Sequence, residues 1–194
     1  MSKIQTFSGR VVDFRNLDPN SIHMLDIAWH LSNLCRFTGA VKRFYSVAEH
    51  SVNVASIVPR NLKWVALLHD ATEAYINDVS RPLKQLPAMS DYRDIERELW
   101  FVICHRYDLP FYSVGVPEAV HNADQEMFVV EQADLMPPHP ELNPAAPSVL
   151  AIAPVPLGLE PRVAFFWFCR MVRDYNRDVY NQELRPFLEG GFKQ

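Results

Sequence analysis

The sequence predicts an all-α protein with about six helices. Apolar residues recur every three to four positions in several long segments, which is the period of an amphipathic helix. One of these segments opens with Ser46-Val47-Ala48-Glu49, the pattern of a helix capping box. The chain has 194 residues, 48% of them hydrophobic and 22% charged, which suits one globular domain with a sizeable core. We therefore expect residues 1–194 to form a single helical domain.

Start and stop signals place the first two helices. Apolar residues at helical spacing predict a helix over 21–34, with Gly39 as the stop signal that follows it. The capping box opens a second helix over 46–58, in which Ser46 caps the first turn and Glu49 reaches back to it.

The other elements follow the same reasoning. Residues 7–14 alternate weakly and predict either a short strand or an extended arm. Residues 80–84 indicate a loop stiffened by Pro82. Further helices are expected from 61 to an exit near 78, and over 91–106, 117–136 and 163–180.

Proline dominates the stretch 137–161, which holds eight of the fifteen prolines. Too little chain follows this stretch to make a second domain, so we expect a long loop within the single domain, either ordered or mobile. The helix after it is aromatic on much of its surface, which indicates core packing or a contact between subunits.

Charge and composition argue against several classes of partner. The net charge is −4, so no basic field attracts a nucleic-acid polymer. Residues 1–10 lack the apolar run of a signal peptide, and four prolines break the uncharged stretch 142–159, which argues against a membrane helix. The three cysteines, Cys35, Cys104 and Cys169, are far apart and form no C-x-x-C pair, so we expect free buried thiols in a reducing compartment. These features predict a soluble cytoplasmic protein without a membrane partner.

The residues that carry chemistry concentrate in the stretch Leu67-Leu68-His69-Asp70-Ala71-Thr72-Glu73-Ala74-Tyr75-Ile76-Asn77-Asp78. On a helix, His69 and Asp70 point about 100° apart, so both can reach one point in front of it. Glu73 returns to the same face one turn later, and Asp78 follows at the helix exit. An imidazole and a carboxylate together suit first-row transition metals. Further ligands must come from elsewhere, because an adjacent His and Asp also arise by chance.

His50 in the first turn of the second helix and Asp124 on the fifth helix complete a set. The order His…His-Asp…Asp, carried by Tyr45-Ser46-Val47-Ala48-Glu49-His50-Ser51, the stretch 67–73 and Ala123-Asp124, resembles the HD-domain metal-dependent phosphohydrolases. Arg36-Phe37 and Pro82-x-Lys84 also resemble the small bacterial and phage branch that acts on deoxynucleotides, which includes 5'-deoxynucleotidases and phage dATP triphosphohydrolases. The resemblance covers residues 20–136 and implies an HD-domain helical bundle.

The resemblance implies a role for each matching residue. The implied metal ligands are His50, His69, Asp70 and Asp124. They would hold one divalent transition metal (Zn, Co, Mn or Fe), with a further Mg²⁺ compatible with a triphosphate substrate. The metal would lower the pKa of a bound water and polarise the P–O bond. Glu73 would carry the proton, and Asp78 would orient water or the leaving sugar oxygen.

The implied substrate contacts lie on either side of the ligands in sequence. Arg36 and Lys84 would hold phosphate, Phe37 would lie by the sugar or base, and Pro82 would shape the segment that carries Lys84. Two of these residues have an ordinary alternative role. The Arg36 guanidinium could interact with the negative end of the dipole of the first helix, and Lys84 could be a solvated side chain. Glu73-Ala74 departs from the Glu-Asp pair of the related guanosine-polyphosphate hydrolases, which argues against that branch.

The expected function is therefore hydrolysis of a deoxynucleotide phosphate, with a dATP-type dNTP triphosphohydrolase placed first. A 5'-deoxynucleotidase acting on dNMPs is the alternative within the enzyme class. A non-catalytic, metal-stabilised nucleotide-binding module is the alternative outside it, although Glu73, Asp78 and Lys84 would then have no purpose. Since relatives in this family tend to be oligomeric, we also expect a homo-oligomer, a dimer or larger.

Overall fold

The computed structural model describes residues 2–110, 115–142 and 158–190. This part of the chain is mostly helical, which confirms the all-α prediction at that level, but it holds ten α-helices rather than the six predicted, because several segments are short helices separated by turns. The α-helices in chain order are α1 (Met24–Asn33), α2 (Val47–Ile57), α3 (Lys63–Leu67), α4 (Glu73–Ile76), α5 (Arg81–Lys84), α6 (Ser90–Arg106), α7 (Glu118–Leu135), α8 (Pro161–Tyr175), α9 (Arg177–Val179) and α10 (Arg185–Gly190). A π-helical segment, Tyr180–Leu184, joins the last two helices.

Helix α2 lies at the centre of the fold. It packs against α1, α3, α7 and α8, and every residue from Val47 to Ala55 is buried. A helix buried on all sides must be apolar or have its polar groups satisfied by neighbours. The buried polar groups on α2 include His50, so the fold brings this residue into its interior.

Most of the long helices begin and end close to the predicted bounds. The second, fourth and fifth predicted helices match α2, α6 and α7 to within one residue at each end. Ser46 caps α2 as predicted, because its side chain accepts a hydrogen bond from the Glu49 backbone N–H at 3.1 Å. The second half of the capping box is wrong, since the Glu49 carboxylate instead accepts the backbone N–H groups of Gly158 and Leu159.

The predicted third helix is interrupted. Helix α3 ends at Leu67, residues 68–72 form a turn, and α4 begins at Glu73. The His69 side chain explains part of this break, because its Nδ1 bonds to the Ala66 carbonyl at 2.7 Å, and a continuing helix would use that carbonyl for a backbone bond. Backbone bonds from Ala71 to Leu68 carry the chain onward with three-residue spacing.

Three further bounds differ from the predictions. Helix α1 ends at Asn33, within one residue of the predicted end, but it begins at Met24 rather than near residue 21, because the His23 side chain caps its first turn. The predicted loop over 80–84 holds the short helix α5, whose first turn accommodates Pro82 because that position needs no backbone donor. The last predicted helix stops at Tyr175, where Asn176 caps α9.

The N-terminal segment is a hairpin of β1 (Lys3–Gln5) and β2 (Val11–Asp13), paired antiparallel with Ile4 opposite Val12. The strand alternative for residues 7–14 is therefore correct only for its second half.

Within the proline-rich stretch, residues 143–157 lie outside the described residues. Cys35, Cys104 and Cys169 are free thiols, as predicted, but only Cys104 and Cys169 are buried, while Cys35 is partly exposed. Among the described residues, no helix combines the length and apolar character that crossing a membrane requires.

Candidate metal centre

His50 lies in the first turn of α2 with a fully buried side chain. Its Nδ1 lies 2.7 Å from Oε1 of Glu131 on α7, and that carboxylate is also buried. A carboxylate acceptor at this distance favours the imidazole tautomer with the proton on Nδ1. The opposite nitrogen, Nε2, is buried and has no hydrogen-bond partner among the described residues.

His69 is arranged in the same way from the other side. Its Nδ1 bonds to the Ala66 carbonyl at 2.7 Å, and its buried Nε2 has no hydrogen-bond partner within the described ranges. The two imidazole rings lie 5.3 Å apart between centroids. Two neighbouring histidines therefore each keep one nitrogen engaged and turn the other toward a shared space. A buried nitrogen without a partner costs free energy unless something else binds it.

The carboxylates of Asp70 and Asp124 face that same space. Oδ1 of Asp124 lies 3.1 Å from Nε2 of His50 and 4.0 Å from Nε2 of His69. Oδ2 of Asp70 lies 3.6 and 3.3 Å from the same two nitrogens. The fold thus brings together the side chains of all four residues that the motif order suggested as metal ligands.

These separations fit a single metal ion. With metal–ligand distances of about 2.1 Å, neighbouring ligand atoms lie about 3.0 to 3.4 Å apart and opposite ones about 4.2 Å. The four observed separations span 3.1 to 4.0 Å, and the donor atoms of His50, His69 and Asp124 all lie within 4.8 Å of one another. Two neutral imidazole nitrogens and two carboxylate oxygens form a donor set that suits first-row transition metals. The described residues could therefore hold one such ion.

The electrostatics of the site favour a cation. Burial and the Arg36 guanidinium lower the pKa of His50, but the carboxylates of Glu131 and Asp124 outweigh them and raise it to about 9. Burial raises the pKa of Asp124, but the two histidines outweigh it, so that the pKa falls below its usual range. A place that draws a proton onto a buried imidazole has a negative potential, which also attracts a metal ion.

Asp124 is held by its second oxygen. Its Oδ2 accepts a hydrogen bond from Nε2 of Gln125 at 3.0 Å and lies 3.6 Å from the Arg81 guanidinium. Because Oδ2 is engaged in this way, only Oδ1 points toward the histidines. This arrangement favours one coordinating oxygen from Asp124 and leaves room around the ion for other ligands.

Glu73 and Asp78 border the same space. Glu73 is buried, its Oε2 has no hydrogen-bond partner in the described part of the chain, and its Oε1 lies 3.8 Å from Nζ of Lys84. Burial, helped by the Asp70 and Asp78 carboxylates, raises the pKa of Glu73 well above its usual range. Burial also raises the pKa of Asp78. Glu73 is thus a buried carboxyl group that holds its proton more strongly than an exposed glutamate does.

An open cleft of about 600 Å³ leads to these residues. The described residues along its walls include all of the substrate contacts that the sequence suggested, namely Arg36, Phe37, Pro82 and Lys84. Phe37 faces Phe128 across 5.6 Å between ring centroids. Lys84 donates to Oε1 of Glu96 at 2.6 Å. Phe37 has a φ of 56°, a left-handed backbone conformation that is strained for a bulky residue and often marks a functional loop.

Sequence reasoning missed three residues of this site. Glu131 follows Asp124 by seven residues, or two helical turns, so both lie on the same face of α7. That spacing was the only available signal, and an isolated acidic residue on a helix usually indicates a solvated position. Arg81 and Phe128 carried no signal, because their approach to the cleft depends on how α5 and α7 pack.

Comparison with known proteins gives relatives but no family model that matches. The chain is 42% identical over 135 residues to the Escherichia coli protein named Uncharacterized protein YfdR, which covers 70% of this chain and 73% of that relative. It is 33% identical over 127 residues to Uncharacterized protein RCAP_rcc00048 of Rhodobacter capsulatus, covering 60% of this chain and 64% of that relative. The extent of the first match shows that the chain belongs to the same protein family as YfdR.

Proposed function

We propose that this protein is an HD-domain phosphohydrolase that uses one divalent transition metal to hydrolyse deoxynucleotide phosphates. The observation that carries the proposal is the pair of buried Nε2 atoms of His50 and His69, which have no hydrogen-bond partner among the described residues and face the carboxylates of Asp70 and Asp124 beside a cleft. The order of these residues in the chain is the order that resembles the HD-domain enzymes. When bound, the metal supplies a Lewis acid that activates water and stabilises charge on the phosphate.

Glu73 is the proposed proton carrier. It lies in the same cleft as Asp70 and Asp124, its carboxyl group is buried, and one of its oxygens has no hydrogen-bond partner among the described residues. A carboxyl group placed in this way can donate a proton to the leaving oxygen of the substrate. Asp78, further along the same wall, orients the water or the leaving sugar oxygen.

The cations of the cleft bind the phosphate. Lys84 and Arg81 reach the cleft from α5, and the Arg81 side chain is 57% exposed, so it can move toward a ligand. Arg36 is enclosed, because its Nε and NH1 atoms face the carboxylates of Glu131 and Asp70 at 3.2 and 3.5 Å. Arg81 therefore has the most freedom of these three residues to contact phosphate oxygens directly, while Lys84 can do so from its place in the cleft wall.

The nucleoside lies between the aromatic walls of the cleft. Phe37 and Phe128 offer flat apolar surfaces to a base or sugar, and Pro82 also lines the cleft. An aromatic ring packed against C2' leaves no hydrogen-bond partner for a 2'-hydroxyl, which supports a preference for 2'-deoxyribose.

We place a dNTP, with dATP first, ahead of a dNMP as the substrate, and a further Mg²⁺ would accompany the triphosphate. One observation favours the dNMP alternative. Among the described residues, each of the three cations that line the cleft already faces a carboxylate, Arg36 facing Asp70, Arg81 facing Asp124 and Lys84 donating to Glu96. Little uncompensated positive charge then remains for three phosphate groups, and a single phosphate needs less.

The test is a phosphate-release assay with added Mn²⁺ or Co²⁺ across ribo- and deoxynucleotide mono-, di- and triphosphates. Release of triphosphate from a dNTP supports the triphosphohydrolase, and release of orthophosphate from a dNMP supports the nucleotidase. The His69→Ala variant is the control for contaminating phosphatases, because it lacks a proposed ligand. No release from any nucleotide by metal-loaded wild-type protein would contradict the enzyme proposal and leave the non-catalytic nucleotide-binding module.

A further inference from the structure

Two carboxylates on one face of α7 hold the His50 imidazole from opposite sides. Asp124 approaches Nε2 at 3.1 Å, and Glu131 binds Nδ1 at 2.7 Å. Glu131 is fully buried and also accepts the Tyr45 hydroxyl at 2.5 Å. A buried charge of this kind is costly unless several partners compensate it, and here His50, Tyr45 and Arg36 do so.

The second oxygen of Glu131 leads to another proposed ligand. Its Oε2 lies 3.2 Å from Nε of Arg36, and NH1 of the same guanidinium lies 3.5 Å from Oδ2 of Asp70. A continuous path of charged groups therefore runs from His50 through Glu131 and Arg36 to Asp70. It joins α2, α7, the turn after α1 and the turn between α3 and α4, four segments that are far apart in sequence.

We propose that Glu131 and Arg36 form an ion-paired link that positions His50 and Asp70 as metal ligands and thereby sets the affinity of the site for its metal. This inference rests on the metal-binding part of the proposed function. Glu131 fixes the tautomer and orientation of His50 through the contact with Nδ1, while the Arg36 guanidinium holds Glu131 and Asp70 together by charge, since its Nε makes no hydrogen bond among the described residues. Both are positioning residues, since each acts through a ligand.

The link differs from two simpler roles. If Glu131 only stabilised the fold, its loss would lower unfolding free energy without a specific effect on metal binding. If Arg36 only bound phosphate, its loss would leave metal affinity unchanged. The link alone predicts that both residues affect metal affinity and that their effects are coupled, because breaking either one breaks the same connection.

The experiment uses the full chain and Co²⁺ as the probe, with affinity measured by chelator competition and ligand geometry by the visible absorption of the bound Co²⁺. Glu131→Gln and Arg36→Gln should each weaken Co²⁺ binding about 10- to 100-fold and change the absorption spectrum. The double variant should bind about as weakly as the weaker single variant, rather than showing the product of both losses. Urea unfolding of each metal-free variant records its stability separately.

Tyr45→Phe is the matched control, because it removes another hydrogen bond to the same Glu131 oxygen without touching a ligand. Its Co²⁺ affinity should stay near that of the wild type. If Glu131→Gln does not fold, Arg36→Lys replaces it, since a single ammonium cannot span both carboxylates and should reproduce the loss. Unchanged affinity in the Arg36 variants, multiplicative losses in the double variant, or an equal loss in Tyr45→Phe would overturn the link. Failure of the wild type to bind Co²⁺ would instead overturn the proposed metal function, and the link with it.

Discussion

Glu73→Ala tests the proposed proton carrier, because it should remove turnover while leaving fold and metal in place. Glu73 is not among the proposed ligands, and its buried Oε2 has no hydrogen-bond partner within the described residues. A buried polar group without a partner costs about 1–3 kcal/mol, which its removal relieves. The substitution also loses the 3.8 Å pairing with Lys84, and such a partly exposed pair contributes about 0–1 kcal/mol. The metal-free variant should therefore be as stable as the wild type or slightly more stable.

The expected kinetic effect is much larger than the effect on stability. A general acid contributes about 10²- to 10⁴-fold to the rate, which corresponds to about 2.7–5.4 kcal/mol of barrier. The measurement is kcat on the best nucleotide from the phosphate-release panel, with metal content determined on the same sample. Equal metal content and a rate lowered by at least about a hundredfold would support the role of Glu73.

Glu96→Ala is the matched control for this experiment. Glu96 is the other carboxylate that contacts Lys84, at 2.6 Å, but it does not line the cleft. Losing this one ion pair changes free energies by at most about 1 kcal/mol, so its rate should stay within about fivefold of the wild type. The reasoning fails if Glu73→Ala is no slower than Glu96→Ala, because Glu73 would then act only as a partner of Lys84.

Four further predictions address the metal, the sugar, the pH dependence and the assembly. His69→Ala should contain much less bound metal than the wild type in elemental analysis. It should also lack the stabilisation that metal gives the wild type, about 2.7 kcal/mol when free metal is in hundredfold excess over Kd. Equal metal content in the two proteins would show that His69 is not a ligand. The wild-type protein should have a kcat/KM at least about tenfold higher for deoxynucleotides than for ribonucleotides, since an unpaired buried hydroxyl costs about 1–3 kcal/mol, and Phe37→Ala should reduce this difference. Equal kcat/KM for the deoxy and ribo substrates of the wild type would contradict the deoxy preference. Burial lowers the pKa of His23 below 6.5, so the unfolded chain takes up the proton first, and the stability that His23 provides is present above pH 6.5 and is lost as the pH falls. His23→Asn keeps a helix-capping side chain and should become more stable than the wild type on acidification, as measured by urea unfolding at several pH values. Unfolding free energies of the two proteins that fall in parallel with pH would contradict this. Light scattering should give the mass of at least a dimer, because Phe166 on α8 is 47% exposed beside the buried Phe165 and an exposed aromatic ring suits a contact between subunits. A mass of 22.4 kDa at micromolar concentration would exclude an oligomer.

Local signals in the sequence predicted those elements whose structure is determined locally. The capping serine places the start of α2, and apolar periodicity places α6 and α7, because each of these depends on neighbours in the chain. The Glu49 side chain shows where this reasoning fails. Its preferred local partner lies at the start of its own helix, but in the fold two backbone N–H groups from residues 158 and 159 reach it instead. A partner so distant in sequence leaves no local signal.

The candidate site divides in the same way. The four proposed ligands could be suggested because their order and spacing form a recognisable set. The groups that hold them could not, since Glu131 and Arg81 resemble ordinary solvated residues until α5 and α7 pack beside the ligands. The role of Arg36 also depends on packing, because its surroundings contain two carboxylates that the sequence does not place beside it.

The turn between α3 and α4 shows why a departure from the predicted helix matters for function. In a regular helix, neighbouring residues diverge by about 100°, so His69 and Asp70 would reach a common point only at the ends of their side chains. The three-residue spacing of this turn and the bond from His69 Nδ1 to Ala66 instead bring Nε2 of His69 within 3.3 Å of Oδ2 of Asp70. The same side chain that ends α3 thereby turns its free nitrogen toward the other ligands. The interruption of the helix is therefore part of how this sequence builds the site.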